Sequence, residues 1–276
     1  MLMDKFLIQN KVCIITGGAG LLGRQHAEAV IEGKGIPVLL DVWQEGLLNA
    51  KHELEEKFQG TNVEKYCVDI KKVEDLETVK EKLIKKYGHI DILINNAANN
   101  PKVEDKQKNF RNIRFDNFPL DIWQDDIAVG LTGAFLCAQV FGKVMEKQKS
   151  GVILNISSDL GIIAPDQRIY RKDGIAEEEQ TIKPVTYSVI KHGLIGLTKY
   201  LATYWADKGI RSNAICPGGI YNGQDTEFLK KLTNLIPMGR MANKDEYKAT
   251  VLYLISDASS YMTGSTVIVD GGRTCW

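Results

Sequence analysis

A tyrosine and a lysine four residues apart, Tyr187 and Lys191, are the residues of this chain best suited to chemistry. On a helix this spacing places both side chains on one face, one turn apart. A free tyrosine hydroxyl, with a pKa of about 10, is a poor proton-transfer group at neutral pH. A neighbouring ammonium favours the phenolate and lowers that pKa, so the pair predicts a general acid/base. The alternative is a half-buried tyrosine beside a solvated lysine, and the elements around the pair decide between the two.

A glycine-rich turn close to the N-terminus predicts a site for a pyrophosphate. The apolar run over 11–16 is typical of a strand buried on both faces, and a helical pattern follows the turn to about Glu32. Between them, Gly18, Gly20 and Gly23 fit the spacing G-x-G-x-x-G. Such glycines let backbone N–H groups approach a pyrophosphate at the start of a helix. A glycine-rich turn without a ligand is the alternative.

An aspartate at the end of the second strand predicts which dinucleotide binds. The run over 36–40 leads to Asp41, 18 residues beyond Gly23, where an acid that binds the adenosine ribose is expected after roughly 20 residues. A carboxylate there accepts hydrogen bonds from both ribose hydroxyls and repels a 2′-phosphate. Asp41 therefore predicts NAD over NADP, unless it is a solvated residue at a strand end.

Polar residues also follow the next two strands. Asp69 comes after the strand at 63–68, where it could accept a hydrogen bond from adenine or could cap the next helix. The residues support both interpretations equally. Asn95 and Asn96 follow the strand at 90–94, where they could pin neighbouring strands or form a plain Asx turn.

Three long polar segments interrupt the regular pattern. Loops of this length inside a compact domain are usually functional or disordered. The first carries Arg111 and Arg114, which could clamp an anionic group, although solvated arginines are the favoured interpretation. The three segments cover residues 99–120, 159–186 and 220–240.

The order of elements predicts a single doubly wound α/β domain, a Rossmann-type fold that spans residues 1–276. Strand and helix patterns alternate about seven times, which favours about seven mostly parallel strands with helices on both faces. Two long helices are expected, at 121–148 and 187–207. Gly130 and Gly133 in the first of them predict a bend or a close backbone contact.

Charge and cysteine usage argue against several functional classes. The 35 basic and 35 acidic residues balance, and no basic stripe would serve a nucleic acid. The five cysteines have neither metal-ligand nor paired spacing, which is typical of thiols in a reducing compartment. No signal peptide is recognisable, and no apolar run approaches the roughly 20 residues of a membrane span. We therefore expect a cytoplasmic protein with a small-molecule substrate and without a metal, a nucleic-acid partner or a membrane partner.

With these elements placed, the chain resembles the short-chain dehydrogenase/reductase family over nearly its whole length. Each matching piece is loose by itself, but their order is specific. The pieces are Thr16-Gly17…Gly20…Gly23, Asp69-Ile70, Asn95-Asn96-Ala97-Ala98, Asn155-Ile156-Ser157-Ser158, Tyr187…Lys191, Pro217-Gly218 and Val269-Asp270-Gly271-Gly272.

The resemblance implies an oxidoreductase that interconverts an alcohol and a ketone by direct hydride transfer to or from a nicotinamide. Ser158 would hydrogen-bond the substrate oxygen, and Tyr187 would give or take its proton. Lys191 would bind the nicotinamide ribose and lower the pKa of Tyr187. The residues implied to bind the cofactor, with NAD preferred over NADP, are Gly17, Gly20, Leu22, Gly23, Asp41, Asp69, Ile70, Asn96, Ala97, Tyr187, Lys191, Pro217, Gly218, Ile220 and Thr226.

The chain departs from the family pattern in three places. Leu21 stands where the family has its middle glycine and Gly20 comes one position earlier, a spacing closer to the family's extended members. Gly130 replaces a catalytic Asn whose main-chain carbonyl helps to hold a water of a proton relay. Glycine keeps that carbonyl, so we expect a weakened relay. Ser158 and Tyr187 are 29 residues apart, far more than is common in the family.

The resemblance implies that the segments at 99–120, 159–186 and 220–240 enlarge the substrate pocket. Because they are polar, they favour a polar substrate, such as a sugar or sugar phosphate, over a steroid or a fatty acyl chain. The chain is also similar to dehydrogenases that bacteria use in surface-glycan and flagellin modification. One alternative is a sugar epimerase or dehydratase with tightly bound NAD, which the glycine spacing favours and the short segment after the last strand disfavours. The other is a non-catalytic NAD-binding protein, which the missing Asn favours. As is common in the family, a homodimer or homotetramer through the two long helices is expected.

Overall fold

The computed structural model describes residues 1–99 and 114–276, and its centre is a seven-stranded parallel sheet. The strand order is β3-β2-β1-β4-β5-β6-β7, which confirms the predicted doubly wound α/β fold. The strands are β1 (Val12–Thr16), β2 (Ile36–Asp41), β3 (Glu64–Cys67), β4 (Ile92–Asn95), β5 (Gly151–Ile156), β6 (Ile210–Pro217) and β7 (Thr266–Val269).

The central strands are apolar and β-branched because helices cover both faces of the sheet. All five residues of β1 are buried. Strand β1 pairs with β2 on one side, where Val12 lies opposite Ile36, and with β4 on the other, where Ile14 lies opposite Leu93. The chain reverses its direction of winding between β1 and β4. Ligands of doubly wound sheets bind at this point, beyond the carboxyl ends of the strands.

Two layers of helices sandwich the sheet. Helices α1, α2 and α8 pack on one face, and α3, α5 and α6 pack on the other. The helices are α1 (Leu21–Glu32), α2 (Gln44–Lys57), α3 (Val73–Tyr87), α4 (Leu120–Ile127), α5 (Gly133–Gln148), α6 (Val185–Tyr204), α7 (Thr226–Thr233) and α8 (Lys248–Ile255).

The expected single helix over 121–148 is instead two α-helices joined by a π-helical turn, Ala128–Thr132. Glycine permits both close contacts made there. A Cβ at Gly130 would lie 2.8 Å from Ile190 Cγ2, and a Cβ at Gly133 would lie 2.7 Å from Ile70 Cδ1. The predicted close backbone contact is therefore confirmed, while the uniform α-helix is wrong. Such π turns are frequent at functional sites.

By length and composition, the helical stretch Leu120–Gln148 is apolar enough to cross a membrane, which the sequence interpretation did not anticipate. In the fold, Cys137, Phe141 and Met145 of this stretch are fully buried among the residues that pack on the sheet. The buried core helix of a soluble fold passes the same length and composition test, so the stretch is weak support for a membrane span.

The segments at 159–186 and 220–240 pack against each other. Ile169 of the first forms a small buried cluster with Leu232 of α7. Lys231 Nζ donates to the Arg171 carbonyl oxygen over 2.6 Å, which ties α7 to the first segment. The two segments together form one wall beside the carboxyl ends of β5 and β6.

Arg114 and Arg168 are bound by partners within the polar segments, which does not support the anion clamp considered for Arg114. Arg114 donates to the Glu177 carbonyl oxygen over 2.8 Å, and Arg168 forms a two-pronged ion pair with Asp166. These contacts join parts of the polar segments to each other. Arg111 lies outside the described residues.

Candidate active site

The carboxyl ends of the central strands open onto one cleft of about 1090 Å³. That volume is at the upper end of ligand pockets, which are commonly about 300–1,000 Å³. All of the site residues predicted from the sequence line it except Gly23 and Thr226. Ser158, Tyr187 and Lys191 therefore share one cavity with the glycine turn and Asp41.

The glycine turn forms a backbone cradle at the start of α1. Gly20 precedes the helix, no side chain caps the helix N-terminus, and its first turn carries no acidic residue. The N–H groups of this turn and the positive end of the helix dipole suit an anion. Gly17 has a φ of +64°, and a Cβ there would lie 3.0 Å from Ala97 Cα. These features fit the pyrophosphate of a dinucleotide.

Gly23 supports this cradle from behind and is not part of its lining. A Cβ at Gly23 would lie 2.2 Å from the Gly17 carbonyl oxygen and 2.8 Å from Gly18 Cα. The third glycine of the motif therefore lets α1 pack directly on the turn. Gly23 therefore contributes to the predicted cofactor site indirectly, because it determines where the Gly17 peptide lies.

Asp41 lies at the adenosine end of the cleft with both carboxylate oxygens fixed. Oδ2 accepts a hydrogen bond from the Ala19 N–H over 3.1 Å, and Oδ1 accepts one from the Trp43 N–H over 3.1 Å. Each oxygen retains a lone pair, so the carboxylate can still accept from two ribose hydroxyls.

Asp69 does not cap α3. Its Oδ1 accepts from the Lys71 N–H over 3.0 Å, while Lys72 precedes the helix without a side-chain cap. Asp69 lines the cleft and does not cap the helix, which favours the alternative of a contact with adenine. That contact stays a prediction.

Two asparagines pin the strands that carry the site. Asn95 Nδ2 donates to Asn155 Oδ1 over 2.9 Å, which joins β4 to β5. Asn96 Nδ2 donates to the Thr16 carbonyl oxygen over 2.9 Å, which joins β4 to β1 and fixes the floor of the cradle. The predicted pinning of neighbouring strands is confirmed.

Tyr187 and Lys191 lie one turn apart on the cleft side of α6. Lys191 Nζ donates to the Ile156 carbonyl oxygen over 2.8 Å and lies 5.6 Å from the centre of the Tyr187 ring. Burial, and to a smaller extent the charge of Lys183, lowers the pKa of Lys191 to about 8. A buried ammonium beside a phenol is the arrangement expected for a proton-transfer pair.

The pKa of Tyr187 is raised, which is opposite to the expected direction. Burial is the largest cause, and the charge of Asp159 adds to it. The contact with Ser158 and the charge of Arg273 oppose the rise. Lys191 does not reverse the effect of burial in this geometry, so the expectation that it sets a low pKa by itself is wrong.

A second lysine lies over the face of Tyr187. Lys183 Nζ is 3.8 Å from the centre of the ring, well within the range of a cation–π contact. Burial lowers the pKa of Lys183 to about 8. Lys183, Tyr187 and Lys191 are each four residues apart, a spacing that could have identified Lys183 from the sequence.

Ser158 belongs to a buried hydrogen-bond chain that the sequence interpretation missed. Ser158 Oγ donates to Asp159 Oδ1 over 2.7 Å, and Arg273 Nη1 donates to Asp159 Oδ2 over 2.7 Å. All three residues are buried and line the cleft. Asp159 directly follows the serine pair, but nothing local in the sequence indicates that Arg273 reaches it.

Thr226 lies outside the cleft. It is the exposed first residue of α7, and the preceding Asp225 caps that helix by accepting from the Glu227 N–H over 2.7 Å. Its predicted contact with the nicotinamide amide has no support from this position. Gln224 and Phe228, on either side of it, do line the cleft.

Comparison with known proteins agrees with this site. A family model described as enoyl-(acyl carrier protein) reductase matches residues 20–274. The chain is 33% identical to an NAD-dependent glycerol dehydrogenase of Listeria innocua over 98% of this chain and 96% of that protein. The chain belongs to the short-chain dehydrogenase/reductase family.

Other relatives of this chain are named for different activities. A flagellin modification protein A of Campylobacter coli is 29% identical, over 96% of this chain and 99% of that protein. The structure of a gluconate 5-dehydrogenase from Burkholderia cenocepacia, in complex with NADP and tartrate, matches with a TM-score of 0.83 at 26% identity, over the full length of both chains. Further matches are named mannitol dehydrogenase and xylitol dehydrogenase.

As a member of the short-chain dehydrogenase/reductase family, the protein is an NAD(P)-dependent oxidoreductase that acts on a small molecule. The expectation of an enzyme is therefore confirmed, and the non-catalytic alternative is not supported. The names of the relatives vary, so family membership by itself does not identify the substrate.

The family's catalytic Asn is replaced by Gly130, and the structure shows what occupies the vacated space. Gly130 is buried in the π turn, and Ile190 of α6 packs against it. Ile190 directly precedes Lys191, so this contact also sets how closely α6 approaches the turn. Ile190 also belongs to a small buried apolar cluster with Ala134 and Leu194.

Substitution of Gly130 by Asn is expected to destabilise the protein instead of restoring the family's relay. The new Cβ would lie 2.8 Å from Ile190 Cγ2, and overpacking of this kind costs about 1–3 kcal/mol. Denaturant unfolding measures the loss. In a double-mutant cycle, Gly130→Asn should cost less in an Ile190→Ala background than in the parent, because the shorter side chain vacates the contact. Equal stability of Gly130→Asn and the parent would contradict this packing.

Proposed function

We propose that this protein is an NAD-dependent dehydrogenase that interconverts an alcohol and a ketone on a polyol or sugar derivative. The observation that carries the proposal is the convergence of Ser158, Tyr187 and Lys191 in the same cleft as the glycine cradle and Asp41. The proton-transfer group, its neighbouring ammonium and the dinucleotide site thus lie in one cavity. This is the minimum set for removing a proton and a hydride from one alcohol.

In the oxidation direction, Tyr187 accepts the proton of the substrate hydroxyl while Ser158 holds the substrate oxygen. The glycine cradle and Asp41 would hold NAD, which would supply the hydride acceptor for the carbinol carbon. Lys191 provides a positive charge that favours the tyrosinate, and Lys183 provides a second one over the ring. In the reduction direction the same groups act in reverse.

A polar substrate suits the walls of the cleft. The segments at 159–186 and 220–240 place charged and hydroxyl side chains along the substrate end of the cleft. These side chains are Tyr170, Arg171, Lys172, Lys183, Asp225, Glu227 and Lys231. Several relatives are named for glycerol, mannitol or xylitol, which supports a polyol or sugar for this chain. The flagellin-modification relative supports a glycan-linked role more loosely.

The position of Asp41 supports NAD as the cofactor, although named relatives include users of both dinucleotides. Placing a 2′-phosphate beside a carboxylate costs several kcal/mol, so we expect kcat/KM for NAD to exceed that for NADP by at least about 20-fold. Asp41→Asn removes the charge and keeps the size, and it should reduce the preference by about tenfold or more. Steady-state kinetics with both cofactors measure the change.

Asp69→Asn is the matched control for Asp41, since Asp69 lines the same end of the cleft. It should alter the KM for both cofactors to a similar extent and leave their ratio unchanged. A parent enzyme that prefers NADP, or an Asp41→Asn variant with an unchanged preference, would overturn the assignment of NAD.

The proposed activity is tested with a panel of neutral polyols, sugar acids and sugar phosphates incubated with NAD. Formation of the NADH absorbance band together with a ketone product supports a dehydrogenase. No turnover of any member with either cofactor, by a folded protein that binds the dinucleotide, would contradict it.

The homodimer or homotetramer and the cytoplasmic location stay predictions. Phe135 of α5 and Tyr200 and Tyr204 of α6 are exposed, which suits an interface built from these helices. The five cysteines are all unpaired, which suits a reducing compartment.

A further inference from the structure

The hydrogen-bond chain behind Ser158 determines where the serine proton points. Ser158 has one hydroxyl proton, and it is donated to Asp159 Oδ1 over 2.7 Å. Ser158 Oγ also accepts from the Leu160 N–H over 3.2 Å. Both contacts are made within the turn Asp159–Gly161, so Ser158 Oγ is held in one position before any substrate binds.

Asp159 is in turn held by groups that keep its carboxylate oriented. Its Oδ1 accepts from the Leu160 N–H over 2.8 Å, and its Oδ2 accepts from Arg273 Nη1 over 2.7 Å. Asp159 is 3% exposed and Arg273 is 7% exposed. Two charges buried to this degree are tolerated because each is the other's counter-ion.

The pair also bears on Tyr187. The charge of Asp159 raises the pKa of Tyr187 and the charge of Arg273 lowers it. Removal of either partner would therefore disturb both the serine rotamer and the balance of charge around the reactive phenol. Arg273 belongs to the segment after β7, so that segment contributes to the site through Asp159.

We propose that Asp159 and Arg273 are positioning residues for catalysis: Asp159 holds Ser158 Oγ in place until the serine proton turns to the substrate oxygen on binding, and Arg273 fixes Asp159. The inference rests on the proposed dehydrogenase function. Neither residue needs to touch the substrate. Each acts through Ser158, and this distinguishes them from residues that only stabilise the fold.

A double-mutant cycle between Ser158→Ala and Asp159→Asn tests the proposal. Asp159→Asn should lower kcat/KM by about 10- to 100-fold in the parent but by less than about twofold in the Ser158→Ala background. The pH profile of kcat/KM provides a second readout. Loss of the Asp159 charge should move the pH at which Tyr187 titrates to a lower value, since that charge raises its pKa.

Two further variants separate positioning from folding. Arg273→Lys keeps the charge and should retain more activity than Arg273→Met. The pair Asp159→Asn/Arg273→Met removes both charges, so it should fold even if Asp159→Asn alone does not. Asp207→Asn is the matched control, because Asp207 is an exposed aspartate that pairs with Lys208 and does not line the cleft. It should leave kcat/KM unchanged.

Equal losses from Asp159→Asn in both backgrounds would overturn the proposal. The same cycle read by unfolding equilibria does not depend on activity. It should show a coupling of about tenfold in the unfolding constant, as expected for a hydrogen bond to a charged group. A parent without dehydrogenase turnover but with this coupling would contradict the proposed function and leave the Ser158–Asp159 contact standing.

Discussion

Replacement of Tyr187 by phenylalanine is expected to lower kcat/KM for alcohol oxidation by about 10²–10⁴, the usual contribution of a general acid/base. Phenylalanine keeps the ring that packs under Lys183 but removes the group that takes the substrate proton. The fold and the cradle lie on other elements, so dinucleotide affinity should change little. Steady-state kinetics and a fluorescence titration with NADH measure the two quantities separately.

Tyr200→Phe is the control for this substitution. Tyr200 lies on the same helix, α6, but is exposed and makes a ring contact with Tyr204. It should leave kcat/KM near the parent value. Retention of parent activity by Tyr187→Phe would show that another group transfers the proton, and the assignment of the catalytic pair would then be wrong.

Gly23→Ala is expected to weaken both the fold and dinucleotide binding. The added Cβ would lie 2.2 Å from the Gly17 carbonyl oxygen, so the turn or α1 has to move. We expect a loss of about 1–3 kcal/mol in the free energy of unfolding, as for overpacking elsewhere. Affinity for NADH should fall because the cradle is displaced. Denaturant unfolding and a binding titration check the two effects.

Gly20→Ala separates the two effects. Gly20 has a φ of −75°, and a Cβ there would meet only the Gly17 carbonyl oxygen, at 3.3 Å. Its stability cost should stay below about 1 kcal/mol, the usual difference between Gly and Ala before a helix. Affinity for NADH should still fall, because the methyl group would project where the pyrophosphate approaches. Normal binding by both variants would contradict the assignment of the cradle.

The fold was predictable because each strand carries its own local pattern. Apolar β-branched runs followed by glycine, aspartate, asparagine or serine identify the carboxyl ends of buried parallel strands. Asp41 and Asn96 were found in this way and Gly17 and Ser158 through the family resemblance, and the sheet order brings all four to one edge. The π turn at Ala128–Thr132 was not predictable as such, since glycine spacing indicates a close contact but not the type of turn.

The parts of the site that were missed depend on contacts between distant residues. Asp159 and Arg273 are 114 positions apart, and no periodicity connects them. The direction of the Tyr187 pKa was wrong because the sequence indicates its neighbour Lys191 but not its burial, which is the larger effect. The sequence left an anion clamp at Arg114 open because it does not show that Glu177, 63 positions away, pairs with this arginine.

The most direct test of the central claim is the stoichiometry of hydride transfer. The protein is incubated with NAD and a polyol that it accepts, labelled with deuterium at the carbinol carbon. We expect one NADH for each ketone formed, with the deuterium at nicotinamide C4. Turnover should be lost in Tyr187→Phe. Product formed without net NADH, with the label retained in the product, would contradict a dehydrogenase and favour an epimerase or dehydratase.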